Sequence, residues 1–149
     1  MKPRSNNQVV GNIGLYYVCY QLSKRGWNVM PTARNARGID IIIYSQDATR
    51  THTVQVKSLS RRSPVPLGTK LEGLFGDFLI ICRNVALDNP ECFVLTPAEV
   101  RSLANRGEKD ARTSFWLQPK QYETMSFHER WQRIGSGSTP TLPNEESNA

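Results

Sequence analysis

The chain has 149 residues, of which 38% are hydrophobic and 21% are charged, and its formal net charge is +6. This length and composition fit one globular domain, so neither a disulfide framework nor a structural metal is needed for folding. Apolar runs such as Phe78–Cys82 are too short to span a bilayer, and residues 1–7 lack the apolar stretch of a secretory signal. We therefore expect a cytoplasmic protein with no membrane segment and three buried free thiols, at Cys19, Cys82 and Cys92.

The chain begins with a predicted helix that runs from about Asn7 to Arg25 and ends at Gly26. Gly11 and Gly14 lie three residues apart on it, which favours a close backbone approach at that position. Apolar residues at three- and four-residue steps predict its core-facing stripe, which comprises Val10, Ile13, Tyr17 and Tyr20 and is widened by Val18 and Leu22.

Three strands are predicted next. They are Trp27–Thr32, the almost wholly apolar Gly38–Tyr44, and the β-branched Thr51–Ser58, with a polar turn before the last of them. The segment from Leu59 to Gly73 contains two prolines and three basic residues, and this composition predicts a long loop.

The second half of the chain predicts two more strands, at 77–82 and 91–96, and a helix from Pro97 to about Asn105. Thr96, Pro97 and Glu99 form the pattern of a capping box at the start of that helix. We further expect a short strand at 115–117, a short helix at 127–134, and a disordered tail at 135–149. The order of elements predicts an α/β domain over residues 1–134, with a mixed central sheet of about five strands flanked by helices.

Three polar residues in the apolar strands require an explanation. Asp40 interrupts a run of isoleucines, and Gln55 and Lys57 lie two residues apart on the next strand, so they share one face. If the two strands form a hairpin, a carboxylate, an amide and an ammonium group converge. For these residues alone, a structural Asp–Lys pair at a strand end is an alternative explanation.

The spacing of these residues resembles the PD-(D/E)XK nuclease superfamily, in the form of Holliday-junction-resolvase-like and Mrr-like restriction domains. The resemblance covers about half of the chain and includes Gly-x-x-Gly on the first helix, Asp40, and Gln55-Val56-Lys57. It implies a restriction-endonuclease-like fold and a DNA endonuclease that hydrolyses phosphodiester bonds with Mg²⁺ or Mn²⁺. By this resemblance Asp40, Gln55 and the Val56 carbonyl would bind the metal, and Lys57 would orient the attacking water and offset phosphate charge.

The sequence departs from the family at one position. Many members have a glutamate directly after Gly-x-x-Gly, where this chain has Leu15. Because Gln55 is neutral as well, Asp40 is the single carboxylate of the expected site. One negative charge binds a hard dication such as Mg²⁺ only weakly. Either another group contributes, with Gln8, Glu72 or Asp77 as candidates, or the domain is a degenerate member that binds nucleic acid or protein without cutting.

Basic residues concentrate around the expected site. Between Ser23 and Arg62 the chain has eight basic residues against two acidic ones. Such clustering favours phosphate contacts, and DNA is the expected partner. Candidate phosphate-binding residues are Arg34, Arg37, Arg61, Arg62 and Lys70. The sequence has no helix-turn-helix or zinc-finger pattern that would predict sequence-specific contacts to bases, so we expect cutting that depends on DNA structure. We also expect a homodimer and no small-molecule cofactor.

Overall fold

A five-stranded mixed sheet forms the centre of the molecule. The structure is a computed structural model that describes residues 6–33 and 38–138. The strand order is β1-β2-β3-β5-β6, and only β3 and β5 run parallel among these neighbours. This confirms the predicted α/β class with about five strands in the central sheet. The strands are β1 (Asn28–Pro31), β2 (Ile41–Tyr44), β3 (Thr51–Ser58), β5 (Phe78–Arg83) and β6 (Glu91–Leu95).

A second, three-stranded sheet has the order β4-β8-β7. Its strands are β4 (Val65–Gly68), β7 (Asn105–Lys109) and β8 (Arg112–Leu117). The prediction of a long loop over 59–73 was therefore wrong at β4, where Val65 and Leu67 are buried in spite of the prolines around them. The prediction also missed β7, an edge strand without large apolar residues. A tight turn through Asp110 and Ala111, both with positive φ, joins it to β8.

The first helix, α1, spans Asn7–Lys24, as the sequence predicts. The Asn6 side chain caps its start by accepting a hydrogen bond of 2.9 Å from the Gln8 backbone N–H. Its predicted core-facing stripe was partly wrong, because Ile13 and Tyr20 are exposed to solvent. The side that packs on the sheet is centred on Gly14, Val18, Cys19 and Leu22.

The helix α2 spans Pro97–Leu103, and both hydrogen bonds of its predicted capping box are present. The prediction of a helix at 127–134 was wrong: this segment forms turns and one turn of 3₁₀ helix, Trp131–Arg133. Glu129 has a φ of 51°, which an α-helix does not accommodate. A short helix that was not predicted, α3, spans Pro119–Tyr122.

The packed part of the chain continues beyond Ile134. Trp27 donates its indole N–H to the Gly135 carbonyl at 3.0 Å, and Gly137 exchanges backbone hydrogen bonds with Arg25 and Gln46. A Cβ atom at Gly137 would lie 2.7 Å from the Trp27 Cα atom, so this contact requires glycine. The described part of the predicted tail, residues 135–138, therefore packs on the domain, and residues 139–149 lie outside the described residues.

Two apolar clusters cover the two faces of the large sheet. One contains the inward side of α1 with Ile41, Ile43 and Val54, and the other contains Leu79, Phe93 and the residues from the small sheet. Within the described ranges, no helix is long and apolar enough to cross a membrane.

Candidate functional site

A cavity of about 550 Å³ opens between α1, the hairpin of β2 and β3, and the segment that leads into β4. The N-terminal half of α1 forms one wall. The opposite wall is the chain after β3. The lining residues with polar side chains are Asn7, Asn12, Asp40, Lys57, Ser58, Ser60 and Ser63.

Asp40 lies directly before β2 and is fixed by the backbone of β3. Its N–H donates to the Val54 carbonyl at 2.9 Å, and its carboxylate Oδ2 accepts from the Val56 N–H at 2.7 Å. The predicted hairpin is present, with Ile41 opposite Val54 in an antiparallel register. The hairpin therefore holds a half-buried carboxylate at the cavity, where Lys57 also lies.

Lys57 is half-buried and lines the same cavity. Burial lowers the pKa of Lys57, because the charged ammonium loses solvation, while the negative charge of Asp40 opposes that shift. Among the described residues no ion pair joins Asp40 and Lys57 within 4.0 Å. The two groups therefore remain available to a ligand, which disfavours the alternative of a purely structural pair.

Gln55 is 7% exposed, and its side-chain Oε1 has no hydrogen-bond partner among the described residues. A buried amide oxygen without a partner costs free energy, and an ion or a ligand bound to it would offset that cost. Its amide nitrogen lies 3.7 Å from the point where a Cβ atom of Gly38 would stand. The Gln55 side chain is thus beside the hairpin but is not part of the cavity lining.

Leu15 lines the cavity on the α1 side, at the position where the resemblance expects glutamate. None of the three substitute ligands lines it. Gln8 and Glu72 are exposed, and the Asp77 carboxylate accepts from the Thr53 N–H at 2.9 Å, at the start of β3. In the part of the chain that the structure describes, no three His, Cys, Asp or Glu side chains are grouped as metal ligands.

The predicted phosphate-binding residues differ in their surroundings. Arg34 and Arg37 lie outside the described residues. Arg61 and Lys70 are exposed, and Arg61 directly follows a residue of the cavity wall. Arg62 instead donates three hydrogen bonds to the Glu123 carboxylate, of 3.2, 2.9 and 2.6 Å.

The contact between Arg62 and Glu123 changes the pKa of the Glu123 carboxyl group. Hydrogen bonds from Arg62 and Arg83 lower the pKa of Glu123 to about 2. The charge of Arg62 is therefore balanced by a carboxylate that stays ionised, whereas Arg61 and Lys70 form no ion pair among the described residues.

Sequence reasoning missed the hydroxyl groups of the cavity wall, which come from Ser58, Ser60 and Ser63. One signal was available in the glycine pair of α1. A Cβ atom at Gly14 would lie 1.9 Å from Ser58 Oγ, so the expected close approach is confirmed there. At Gly11 a Cβ atom would meet nothing within 4 Å.

No family model matches this chain, and no curated protein matches it in sequence. A solved structure of a bacterial homing endonuclease is similar in fold, with a TM-score of 0.57. The match covers 88% of this chain and 94% of that chain, at 14% sequence identity. At this identity the likeness concerns the fold alone, which this chain shares with that endonuclease.

Proposed function

We propose that this protein is a metal-dependent DNA endonuclease of the PD-(D/E)XK type, which hydrolyses phosphodiester bonds at the cavity of Asp40 and Lys57. The observation that carries this proposal is the placement of these two residues in one cavity without an ion pair between them. The similarity to a homing endonuclease supports the same class of activity.

The donor atoms at the site suit Mg²⁺ or Mn²⁺, which prefer oxygen ligands. Asp40 offers a carboxylate of which one oxygen accepts from the Val56 N–H, and Val56, whose carbonyl is the second candidate, lines the same cavity. The third candidate, Gln55 Oε1, is buried beside the lining and has no hydrogen-bond partner among the described residues. A metal bound there would polarise the phosphate and lower the pKa of a coordinated water.

The surroundings of the metal ligands suit a phosphate. Lys57 contributes a positive charge that offsets the charge developing in the transition state. The serine hydroxyls and the amides of Asn7 and Asn12 are hydrogen-bond donors that do not select a base. Arg61 is exposed and directly follows the lining residue Ser60, so it can contact phosphates farther along the strand, and Lys70 is exposed as well.

The decisive experiment is a cleavage assay on labelled duplex, nicked, single-stranded and four-way-junction DNA with Mg²⁺ or Mn²⁺. We expect Asp40→Asn and Lys57→Met to reduce the rate by about 10²-fold or more, because each removes a charge at the reacting phosphate. Asp88→Asn and Lys24→Met remove the same charges at exposed positions outside the cavity lining and should cut as the unmodified protein does. Equal cutting by all five proteins would refute the assignment of the site.

A second candidate function is binding without cleavage, which Leu15 favours because it places an apolar side chain where a carboxylate is expected. The variant Leu15→Glu separates the two functions. In a nuclease limited by weak metal binding, the added carboxylate should lower the metal concentration needed for half-maximal cutting. DNA binding without cutting in both the unmodified protein and Leu15→Glu would favour the binding module.

A further inference from the structure

The hairpin of β7 and β8 presents one face away from the apolar core. Phe115 of β8 packs against the core. Because side chains alternate along a strand, those of Arg112, Ser114 and Trp116 point to the opposite side. Lys109 of β7 lies directly opposite Arg112 in the antiparallel register, so it shares this side. We call Lys109, Arg112, Ser114 and Trp116 the β7–β8 face.

Lys109 and Arg112 place two positive charges side by side on this face. Directly opposite residues of an antiparallel pair have Cβ atoms about 5 Å apart, and like charges there destabilise the pair. Both residues are exposed, and neither forms an ion pair within the described ranges. Glu108 is bound by Arg106 at 2.5 Å on the other side of the hairpin. An anion held between Lys109 and Arg112 would remove the repulsion between them.

The β7–β8 face continues into the cavity of the candidate site. Trp116 lies directly opposite Pro66 of β4, and Pro66 lines that cavity. The indole ring lies over Gly107, where a Cβ atom would be 2.9 Å from it, so the glycine lets Trp116 lie close against the neighbouring strand. From Trp116 to Arg112 the strand advances by about 13 Å. A DNA strand that leaves the cavity past Pro66 therefore reaches the basic end of the hairpin within about four nucleotides.

We propose that the β7–β8 face binds the backbone of the DNA that runs out of the cavity, with Lys109 and Arg112 holding one phosphate between them. This inference rests on the proposed function for the identity of the polyanion. The phosphate supplies the negative charge that the basic pair lacks, and the guanidinium group of Arg112 donates hydrogen bonds to its oxygens. Contacts to phosphate carry no sequence information, so the face adds affinity and fixes the path of the DNA.

The shape of the hairpin suits a duplex. All side chains of residues 108–112 are exposed, so the tip projects into solvent, and a two-stranded ribbon is narrow enough to enter the major groove. An acidic protein segment would satisfy the same two charges. The continuity with a cavity whose polar groups suit a phosphate favours a polynucleotide instead.

The test is the equilibrium affinity for a labelled duplex, measured by fluorescence anisotropy without divalent metal over a series of salt concentrations. We expect Lys109→Gln with Arg112→Gln to weaken binding about tenfold and to lower the slope of log affinity against log salt by about one. Lys24→Gln with Arg106→Gln is the matched control. It removes one lysine and one arginine at exposed positions outside the β7–β8 face and should leave the slope unchanged.

Trp116 provides a second measurement on the same face. Trp27 and Trp131 are each 3% exposed, whereas Trp116 is half-buried. We therefore expect bound DNA to protect Trp116 from quenching by acrylamide, and Trp116→Phe to remove the protected fraction of the emission.

Two outcomes would overturn the proposal alone. The variant without the basic pair could match the control in affinity and salt slope, or bound DNA could leave Trp116 as open to acrylamide as before; in either case, cutting with Mg²⁺ by the unmodified protein keeps the proposed function. Weaker binding by that variant, in a protein that does not cut, would support the β7–β8 face and refute the nuclease. An unmodified protein that binds no DNA would overturn both. Because the variant loses a like-charge pair, its free energy of unfolding in urea should be unchanged or higher, which separates weaker binding from a folding defect.

Discussion

The contact between Gly14 and Ser58 allows a sharp prediction, because the same substitution three residues away meets empty space. A Cβ atom at Gly14 would lie 1.9 Å from Ser58 Oγ and 2.7 Å from Ser58 Cβ. Rotation of the serine can move Oγ but not Cβ, so Gly14→Ala must push α1 away from β3. At Gly11 a Cβ atom meets nothing within 4 Å.

The two substitutions should change stability in opposite directions. Alanine is favoured over glycine inside a helix by about 1 kcal/mol, which applies at both positions. Overpacking at Gly14 costs about 1–3 kcal/mol, and the Cβ–Cβ clash favours the upper part of that range. We therefore expect Gly11→Ala to stabilise the fold by up to ~1 kcal/mol and Gly14→Ala to destabilise it by about 1–2 kcal/mol.

The measurement is the free energy of unfolding in urea, with thermal unfolding as a second probe. Adding Ser58→Gly to Gly14→Ala removes both clashing atoms, so the double variant should be more stable than the sum of the single effects predicts. If Gly14→Ala is as stable as Gly11→Ala, or if Ser58→Gly brings no relief, the close packing of α1 on β3 is refuted.

Three further predictions concern titrating groups. Because the pKa of Glu123 is lowered to about 2, its contribution to stability is complete above about pH 5 and is lost as the pH falls toward 2. The difference in urea midpoint between the unmodified protein and Glu123→Gln should therefore shrink over that interval; a constant difference would contradict the arginine contacts. Burial raises the pKa of Cys19, and a hydrogen bond with the Cys82 thiol together with burial raises the pKa of Cys92. A thiol reagent at pH 8 should therefore label the cysteines only after the protein is unfolded. Because the pKa of Lys57 is lowered, cleavage should decline at alkaline pH as its ammonium deprotonates, and Lys57→Arg should move that decline to higher pH.

The sequence was most informative where apolar residues run uninterrupted. The isoleucines of β2 and the β-branched residues of β3 predict two neighbouring strands, and the polar turn between them predicts their hairpin. The hairpin in turn brings Asp40 and Lys57 to one cavity, as expected. The positions of Asp40 and Lys57 could thus be predicted from the strand patterns and the short turn between the two strands.

The sequence was least informative where long-range pairing decides the structure. β7 has almost no apolar residues and forms only because β8 folds back on it, and β4 pairs with β8 across about fifty residues of chain. Periodicity also failed to orient α1, since a helix that is apolar on both sides has no unique inward stripe. Ile13 and Tyr20 were assigned to the core for that reason.

The charges in the cavity lead to a last prediction, that metal and DNA bind cooperatively. Asp40 is the only acidic residue and Lys57 the only basic residue that the described lining contains, so their charges nearly cancel. A dication therefore gains little attraction from the empty cavity, whereas a phosphate supplies the missing negative charge. By linkage, DNA should tighten metal binding by the same factor as metal tightens DNA binding. Calorimetric titration of Mn²⁺ into the protein, with and without a duplex that bears uncleavable linkages, measures this factor, and equal affinities would refute the coupling. Lys57→Met should strengthen metal binding without DNA, because it removes the positive charge that repels the ion.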